Sequence, residues 1–278
     1  MFPLRCTVRG CGQPLNASDG SLRCPRGHHF DRARQGYWNL LQPQDRRSRR
    51  PGDAEAAVLA RSRWIARGKM SGLAGALRPW VDAARPRKAD RPPATLELGC
   101  GEGTLGRELF AAEAGGYCGI DLSKAAIKLA ARGWPEATWV LANADRVLPA
   151  ADASVDRVVS LFGRRPAAEI RRVLAPDGRL IVAVPGDDDL IELRARVQQT
   201  GRRRDRREGV IRTLESAGLE HLATDRWGIR ERLDPDAIAD ALAMTYRAAR
   251  HSERDRAAVM EATDVTLSAD LLLFRPAA

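Results

Sequence analysis

One run limits this chain more than any other: Thr95-Leu-Glu-Leu-Gly-Cys-Gly-Glu-Gly103, followed by Gly119-Ile-Asp121. It reads as a strand, a turn with glycines at 99, 101 and 103, and a second strand ending in an acid. Glycine lets backbone approach a ligand where a Cβ would collide, and Asp121, eighteen residues beyond Gly103, is placed to accept from ribose hydroxyls. A glycine loop alone is weak evidence, but the acid at this distance turns it into a nucleoside site. A tight turn that binds nothing leaves Asp121 unaccounted for.

The charge of the turn says which nucleoside. A dinucleotide fold aims a helix N-terminus at a pyrophosphate and keeps carboxylates away from it. Here Glu97 precedes the first glycine and Glu102 lies inside the loop. Those carboxylates repel a diphosphate and suit the ammonium and sulfonium of S-adenosylmethionine.

With 278 residues and 44% hydrophobic content, the chain has enough material for one domain of ordinary size and a small appendage. It has neither an apolar run of membrane-spanning length nor a signal-peptide core after Met1, so a cytoplasmic location is the default expectation. The net charge of +10 is gathered into arginine clusters at Arg46 to Arg50, Arg164 and Arg165, and Arg202 to Arg207, which points to a polyanionic partner. General enrichment in solvated arginine is the plainer reading of any single cluster.

The five cysteines make a poor disulfide framework. Cys100 and Cys118 lie in the glycine turn and the second strand and read as small packing residues. The other three lie in a head of about 40 residues too polar to build its own core. Cys6, Cys11, Cys24 and His28, separated by four, twelve and three residues, make a structural tetrahedral zinc set, with His29 as rival fourth ligand and free buried thiols as the alternative. All four positions are filled by protein, so the zinc is not catalytic. Tyr37 and Trp38, close to Arg46 to Arg50, suit stacking on unpaired bases, or else anchor the packing of the head.

The sequence divides into a head at 1–45, a charged linker and helical cover at 46–93, and a catalytic domain at 94–278. Asp53 is expected to cap the helix that carries Ala56, Ala60, Trp64 and Ile65. Beyond 94, strands at 95–100, 117–121, 138–143, 155–162 and 179–184 alternate with helices at 104–113, 124–132 and 166–174, which means an α/β fold on a parallel sheet. Pro176-Asp177-Gly178 turns the chain into the fifth of those strands.

Glu97-Leu-Gly-Cys-Gly-Glu-Gly103, Gly119-Ile-Asp121, Ala142-Asn-Ala-Asp145 and Leu174-Ala-Pro-Asp-Gly-Arg-Leu180 together resemble the class I S-adenosylmethionine-dependent methyltransferases. Cys24-Pro-Arg-Gly-His28, Gly36-Tyr-Trp-Asn-Leu-Leu41 and Arg47-Ser-Arg-Arg-Pro-Gly-Asp53 make the chain similar, over nearly its whole length, to the 23S ribosomal RNA guanine-N1-methyltransferases. That resemblance implies a Rossmann-like, seven-stranded, mostly parallel sheet, a zinc-bearing RNA-recognition module, a homodimer, and methylation of guanine N1 in a hairpin of 23S rRNA. Some members of the family protect ribosomes from macrolides. By motif, Cys6, Cys11, Cys24 and His28 would ligate zinc, Gly99, Gly101, Glu97 and Glu102 would meet the cofactor, Asp121 would hold its ribose, and Asn143 to Asp145 would border its adenine.

The chain departs from the family pattern in its wider first cysteine pair, at Gly68-Lys-Met70, at Leu161-Phe-Gly-Arg-Arg165, and at Pro185-Gly-Asp-Asp-Asp-Leu190, where the family has a histidine. Met70 and Asp189, which stand at two of these departures, are kept as cofactor-contact candidates. Guanine N1 carries a proton, so a base or an electrostatic stabiliser is needed. The carboxyl ends of the fourth and fifth strands offer Phe162, Arg164 and Asp187 as catalytic candidates: a stacking ring, a phosphate grip and a carboxylate. Their plainer roles are a core side chain and helix caps. A small-molecule methyltransferase, or a non-catalytic RNA-binding or resistance protein that retains the fold, are the competing functions.

Overall fold

The computed structural model describes residues 2–45, 51–84, 91–198, 201–245 and 261–277. The arginine cluster at 46–50 lies outside the described residues. The head forms a three-stranded antiparallel sheet from β1 (Asn16–Ser18), β2 (Ser21–Arg23) and β3 (His29–Asp31), followed by β4 (Trp38–Asn39). Then come α1 (Glu55–Ala66), α2 (Leu73–Ala83), β5 (Thr95–Leu98), α3 (Thr104–Phe110), β6 (Tyr117–Asp121), α4 (Lys124–Gly133), β7 (Thr138–Leu141), β8 (Val155–Leu161), α5 (Ala167–Val173) and β9 (Leu174–Pro185). The chain closes with α6 (Ile191–Gln198), α7 (Arg207–Glu215), β10 (Leu219–Leu233), α8 (Pro235–Thr245) and β11 (Thr263–Pro276). None of the described helices is long and apolar enough to cross a membrane.

The large sheet runs β10-β11-β9-β8-β5-β6-β7-β4. Seven of its strands are those expected of the catalytic domain, with β11 antiparallel between β9 and β10. The eighth comes from the head: β4 pairs in parallel with β7, Trp38 opposite Val140 and Asn39 opposite Leu141. Two residues are too few to show a strand period in sequence.

Central strands are buried on both faces, as a parallel sheet requires. On one face Leu73, Leu77, Leu105, Leu109, Ile127, Leu193 and Ile238 of the helices α2, α3, α4, α6 and α8 pack into one apolar cluster. On the other face Ile170, Val173 and Leu214 of α5 and α7 share a cluster with Phe2, Leu4, Leu22 and Phe30 of the head. The head therefore has a core to lie on. It lies on the catalytic domain's own core, tied by Phe2 N–H to Thr138 Oγ1 (3.2 Å), Arg5 N–H to the Pro149 carbonyl (3.1 Å) and Leu40 N–H to the Leu141 carbonyl (3.0 Å).

Two local expectations change. Ala54, not Asp53, precedes α1, with no side-chain cap; the Asp53 carbonyl instead accepts from Ser123 Oγ at 2.8 Å. Pro176-Asp177-Gly178 does not separate a loop from a new strand. It forms a bulge within β9, since Leu174 pairs with Val155 and Arg179 already pairs with Arg157.

Candidate functional site

A cavity of about 750 Å³ opens at the carboxyl ends of β5, β6, β7 and β8, the place where open α/β sheets hold ligands. Its floor is the glycine turn. Gly99, Gly101 and Gly103 have φ of 73°, 59° and 82°, left-handed values that favour glycine. A Cβ on Gly99 would stand 3.1 Å from Gly163 Cα, so the turn and the end of β8 close on each other. Asp121 takes the Gly101 N–H at 3.0 Å on one oxygen and the Ser123 N–H at 2.7 Å on the other, and burial raises its pKa against those bonds. Asn143 donates to the Asp45 carbonyl (3.0 Å) and accepts from Asp145 N–H (3.0 Å), which fixes the wall beyond β7.

The other side of this cavity comes from α1. Arg61 Nε lies 3.6 Å from Glu102 Oε2, and neither buried atom has a hydrogen-bond partner among the described residues. Buried polar atoms left this way mark a place for a polar ligand. A cation and an anion side by side over a glycine turn complement the carboxylate and ammonium of an amino acid, while Asp121 suits a ribose. The residues fit S-adenosylmethionine.

A second cavity, about 650 Å³, adjoins the first and shares Asp53, Arg61 and Phe162 with it. Trp64, Met70 and Trp227 give it apolar walls; Arg194, Arg204, Arg206 and Asp189 give it charge. Phe162 stands between the two with φ of 61°, a strained value for a bulky residue, held by its N–H on the Ala183 carbonyl at 2.9 Å.

The structure sorts the candidates read from sequence. Gly99, Gly101, Glu102, Asp121, Asn143 and Asp145 all line the first cavity. Glu97 does not: it is buried beneath the turn, accepts the Tyr117 hydroxyl, and burial pushes its pKa up to about 7. Met70 and Asp189 line the second cavity, not the first. Arg164 reaches the rim, where Nε and Nη2 along one edge of its guanidinium hold the two carboxylate oxygens of Asp145 (2.9 and 2.6 Å), so that edge is committed within the chain. Asp187 lines neither cavity. It is tied to Arg203 (2.9 Å) and Arg226 (3.1 Å), and those guanidinium hydrogen bonds, Arg203's first, hold its carboxyl below the ordinary range.

Cavity residues that sequence did not put forward as site residues are Arg61, Trp227, Asp53 and Trp64, the last two having been read only as a helix cap and part of an apolar stripe. Arg204 and Arg206 had a signal, since they belong to the arginine cluster at 202–207.

In the head, the ligand atoms of Cys6, Cys11, Cys24 and His28 all lie within 4.8 Å of one another, the one such group among the described residues. His28 Nδ1 is 3.4 Å from both Cys6 and Cys24 Sγ, and Cys11 and Cys24 Sγ are 3.8 Å apart. Zinc bonds of about 2.3 Å to sulfur and about 2.0 Å to nitrogen give tetrahedral edges of roughly 3.8 and 3.5 Å, so the set fits zinc. His29 is excluded: it points instead to Asp31 at 3.5 Å.

Comparison with known proteins agrees with this geometry. A zinc-ribbon family model described as RlmA, N-terminal, matches residues 4–49, and a methyltransferase-domain model matches 95–178. The chain is 34% identical to the 23S rRNA (guanine(748)-N(1))-methyltransferase of Streptomyces fradiae over 98% of its own length and 96% of that protein. It is 38% identical to a Micromonospora griseorubida protein whose name carries the same 23S rRNA guanine-N1 reaction, over 68% of each chain. Among solved structures, the YcgJ protein from Bacillus subtilis superposes with a TM-score of 0.50 at 17% identity, covering 73% of this chain and 98% of that one, a likeness of fold alone. On the length and identity of these matches, the chain belongs to the 23S rRNA (guanine-N1)-methyltransferase family.

Proposed function

We infer that the protein transfers a methyl group from S-adenosylmethionine to N1 of a guanine in 23S rRNA. The observation that carries this reading is the pair of adjoining cavities: one has the glycine turn, Glu102 and Asp121, the other has aromatic walls and arginines, and Phe162 stands between them. The Streptomyces fradiae relative is named for this reaction at guanine 748.

When bound, S-adenosylmethionine supplies an electrophilic methyl on a sulfonium. The chain's own residues supply position, which is most of what a transfer of this kind needs. Arg61 and Glu102 would meet the amino-acid end, Asp121 the ribose, and Asn143 with Asp145 the adenine. In the second cavity a guanine turned out of its hairpin would lie against Phe162, Trp64 and Trp227, with Arg204 and Arg206 reaching its phosphates. The arginines at that mouth and the net charge of +10 favour RNA over a small-molecule substrate.

In this reading residues 1–45 carry zinc and recognise RNA, 46–93 link the two parts and cover the cofactor, and 94–278 perform transfer. The protein works as a homodimer in the cytoplasm, where its substrate is. Sedimentation of the purified protein reads the dimer. Methylation of 23S rRNA fragments with labelled cofactor tests the reaction, and failure to label any guanine contradicts it.

A further inference from the structure

Removing the N1 proton of guanine requires an acceptor, and the described carboxylates of the second cavity are those of Asp53 and Asp189. Asp53 also belongs to the cofactor cavity. The neighbours of Asp189 are committed elsewhere. Asp187 is held by Arg203 and Arg226, Asp188 by Arg226 and by Ser268 Oγ (2.6 Å), and Glu192 by the Thr266 N–H and hydroxyl (both 2.8 Å). Asp189 Oδ1 accepts the Ser268 N–H at 3.0 Å, whereas Oδ2 forms no hydrogen bond among the described residues. The next residue, Leu190, has φ of 51° and donates its N–H to the Thr266 carbonyl at 2.7 Å, so the loop that presents Asp189 is pinned to β11.

We propose that Asp189 is the proton acceptor of the reaction, taking the N1 proton of the target guanine on Oδ2 while Oδ1 stays on the Ser268 amide. This rests on the guanine-N1 reading above. The N1–H bond breaks with its electron pair left on N1 and delocalised toward O6, and the proton passes to Asp189. That pair then forms the N1–CH3 bond as the S–CH3 bond breaks, its electrons staying on sulfur as a neutral thioether, and Asp189 returns its proton to solvent. The surroundings suit a general base, because burial pushes the Asp189 carboxyl up to about 6, against the Ser268 N–H, Arg194 and Arg206, which draw it down, and with Asp188, which raises it. A base is most effective when its pKa lies near the working pH. Arg61 and Arg204, with Asp53, are the remaining charged groups on that cavity.

The test is the pH profile of methylation of a 23S rRNA hairpin by wild type, Asp189→Asn, Asp189→Glu and Asp53→Asn, with cofactor affinity measured by calorimetry. Wild-type kcat/KM should rise with pH through about 6 and then level. Asp189→Asn should lower kcat by roughly 10²- to 10⁴-fold and lose that rising limb, with KM for RNA and cofactor affinity little changed. Asp189→Glu should regain part of the rate and the limb, and Asp53→Asn should keep the limb whatever its rate. An Asp189→Asn enzyme that keeps the limb or comes within about threefold of wild type overturns the assignment, and so does a collapse of its cofactor affinity. If wild type forms no 1-methylguanosine, the guanine-N1 reading and this assignment both fall; 1-methylguanosine formed at full rate by Asp189→Asn removes this assignment alone.

Discussion

Glu97 shows how one residue can belong to a motif without lining the cavity that the motif builds. It opens the glycine motif, yet it sits beneath the turn against the Tyr117 hydroxyl, its pKa raised to about 7 chiefly by burial while that hydrogen bond pulls the other way. Between its ordinary value of 4.5 and about 7 the folded chain holds a proton that the unfolded chain has released, so this group's stabilising share is full below that window and lost as pH rises through 7. Glu97→Gln should therefore melt above wild type at pH 8, with the gap shrinking toward pH 4.5; a gap that does not change with pH contradicts this. The glycine turn and the place of Asp121 beside it were legible in sequence because both follow from residue type and spacing: a left-handed turn favours glycine, and an acid at the end of the second strand comes to lie at the same sheet edge. Arg61 was not, because only the packing of α1 over the turn brings it to Glu102. The same limit applied among the three aspartates, where sequence put Asp187 forward as the catalytic carboxylate and Asp189 as a cofactor contact. Arg203, Arg226 and Ser268 tell them apart, and they come from other parts of the chain.

At the level of elements, the alternation from β5 to β9 could be read directly, since strands buried on both faces and amphipathic helices have distinct periods. The long β10–β11 pair could not, because β10 is an edge strand with one face largely polar and arginine-rich. The close contact between β5 and β8 makes a sharp prediction. A Cβ on Gly163 would overlap the Leu98 carbonyl oxygen, so Gly163→Ala should push the β8 end off the glycine turn and weaken cofactor binding by at least about tenfold in calorimetry. Affinity unchanged in that variant contradicts the described closure. The head makes a second one. The apolar contacts of Phe2, Leu4 and Phe30 hold it on the sheet, and a metal on Cys6, Cys11, Cys24 and His28 would hold it from within, so a strong chelator should strip hydrogen-exchange protection from the amides of 15–31 while β5 to β9 keep theirs. Equal protection with and without chelator would show that the metal adds nothing to the head.

Across the whole molecule, the head is part of the catalytic body: it lends β4 to the sheet and covers the same face as α5 and α7. An RNA bound by head and cavity together would thus be held by one continuous surface, and the number of its phosphates that the arginines meet sets its response to salt. RNA affinity should fall by at least about tenfold between 50 and 200 mM salt. Cofactor affinity, set inside a cavity, should change by less than about twofold. Equal salt responses would count against the arginine-lined mouth as the RNA site. Whether the protein is the guanine-N1 enzyme of 23S rRNA is decided by supplying tritiated S-adenosylmethionine with 23S rRNA, transfer RNA and small-molecule extract in separate reactions and identifying the labelled nucleoside by mass spectrometry. Label recovered as 1-methylguanosine from 23S rRNA alone is the expected result. Label on another base, in another fraction, or nowhere from a protein that binds the cofactor would contradict it.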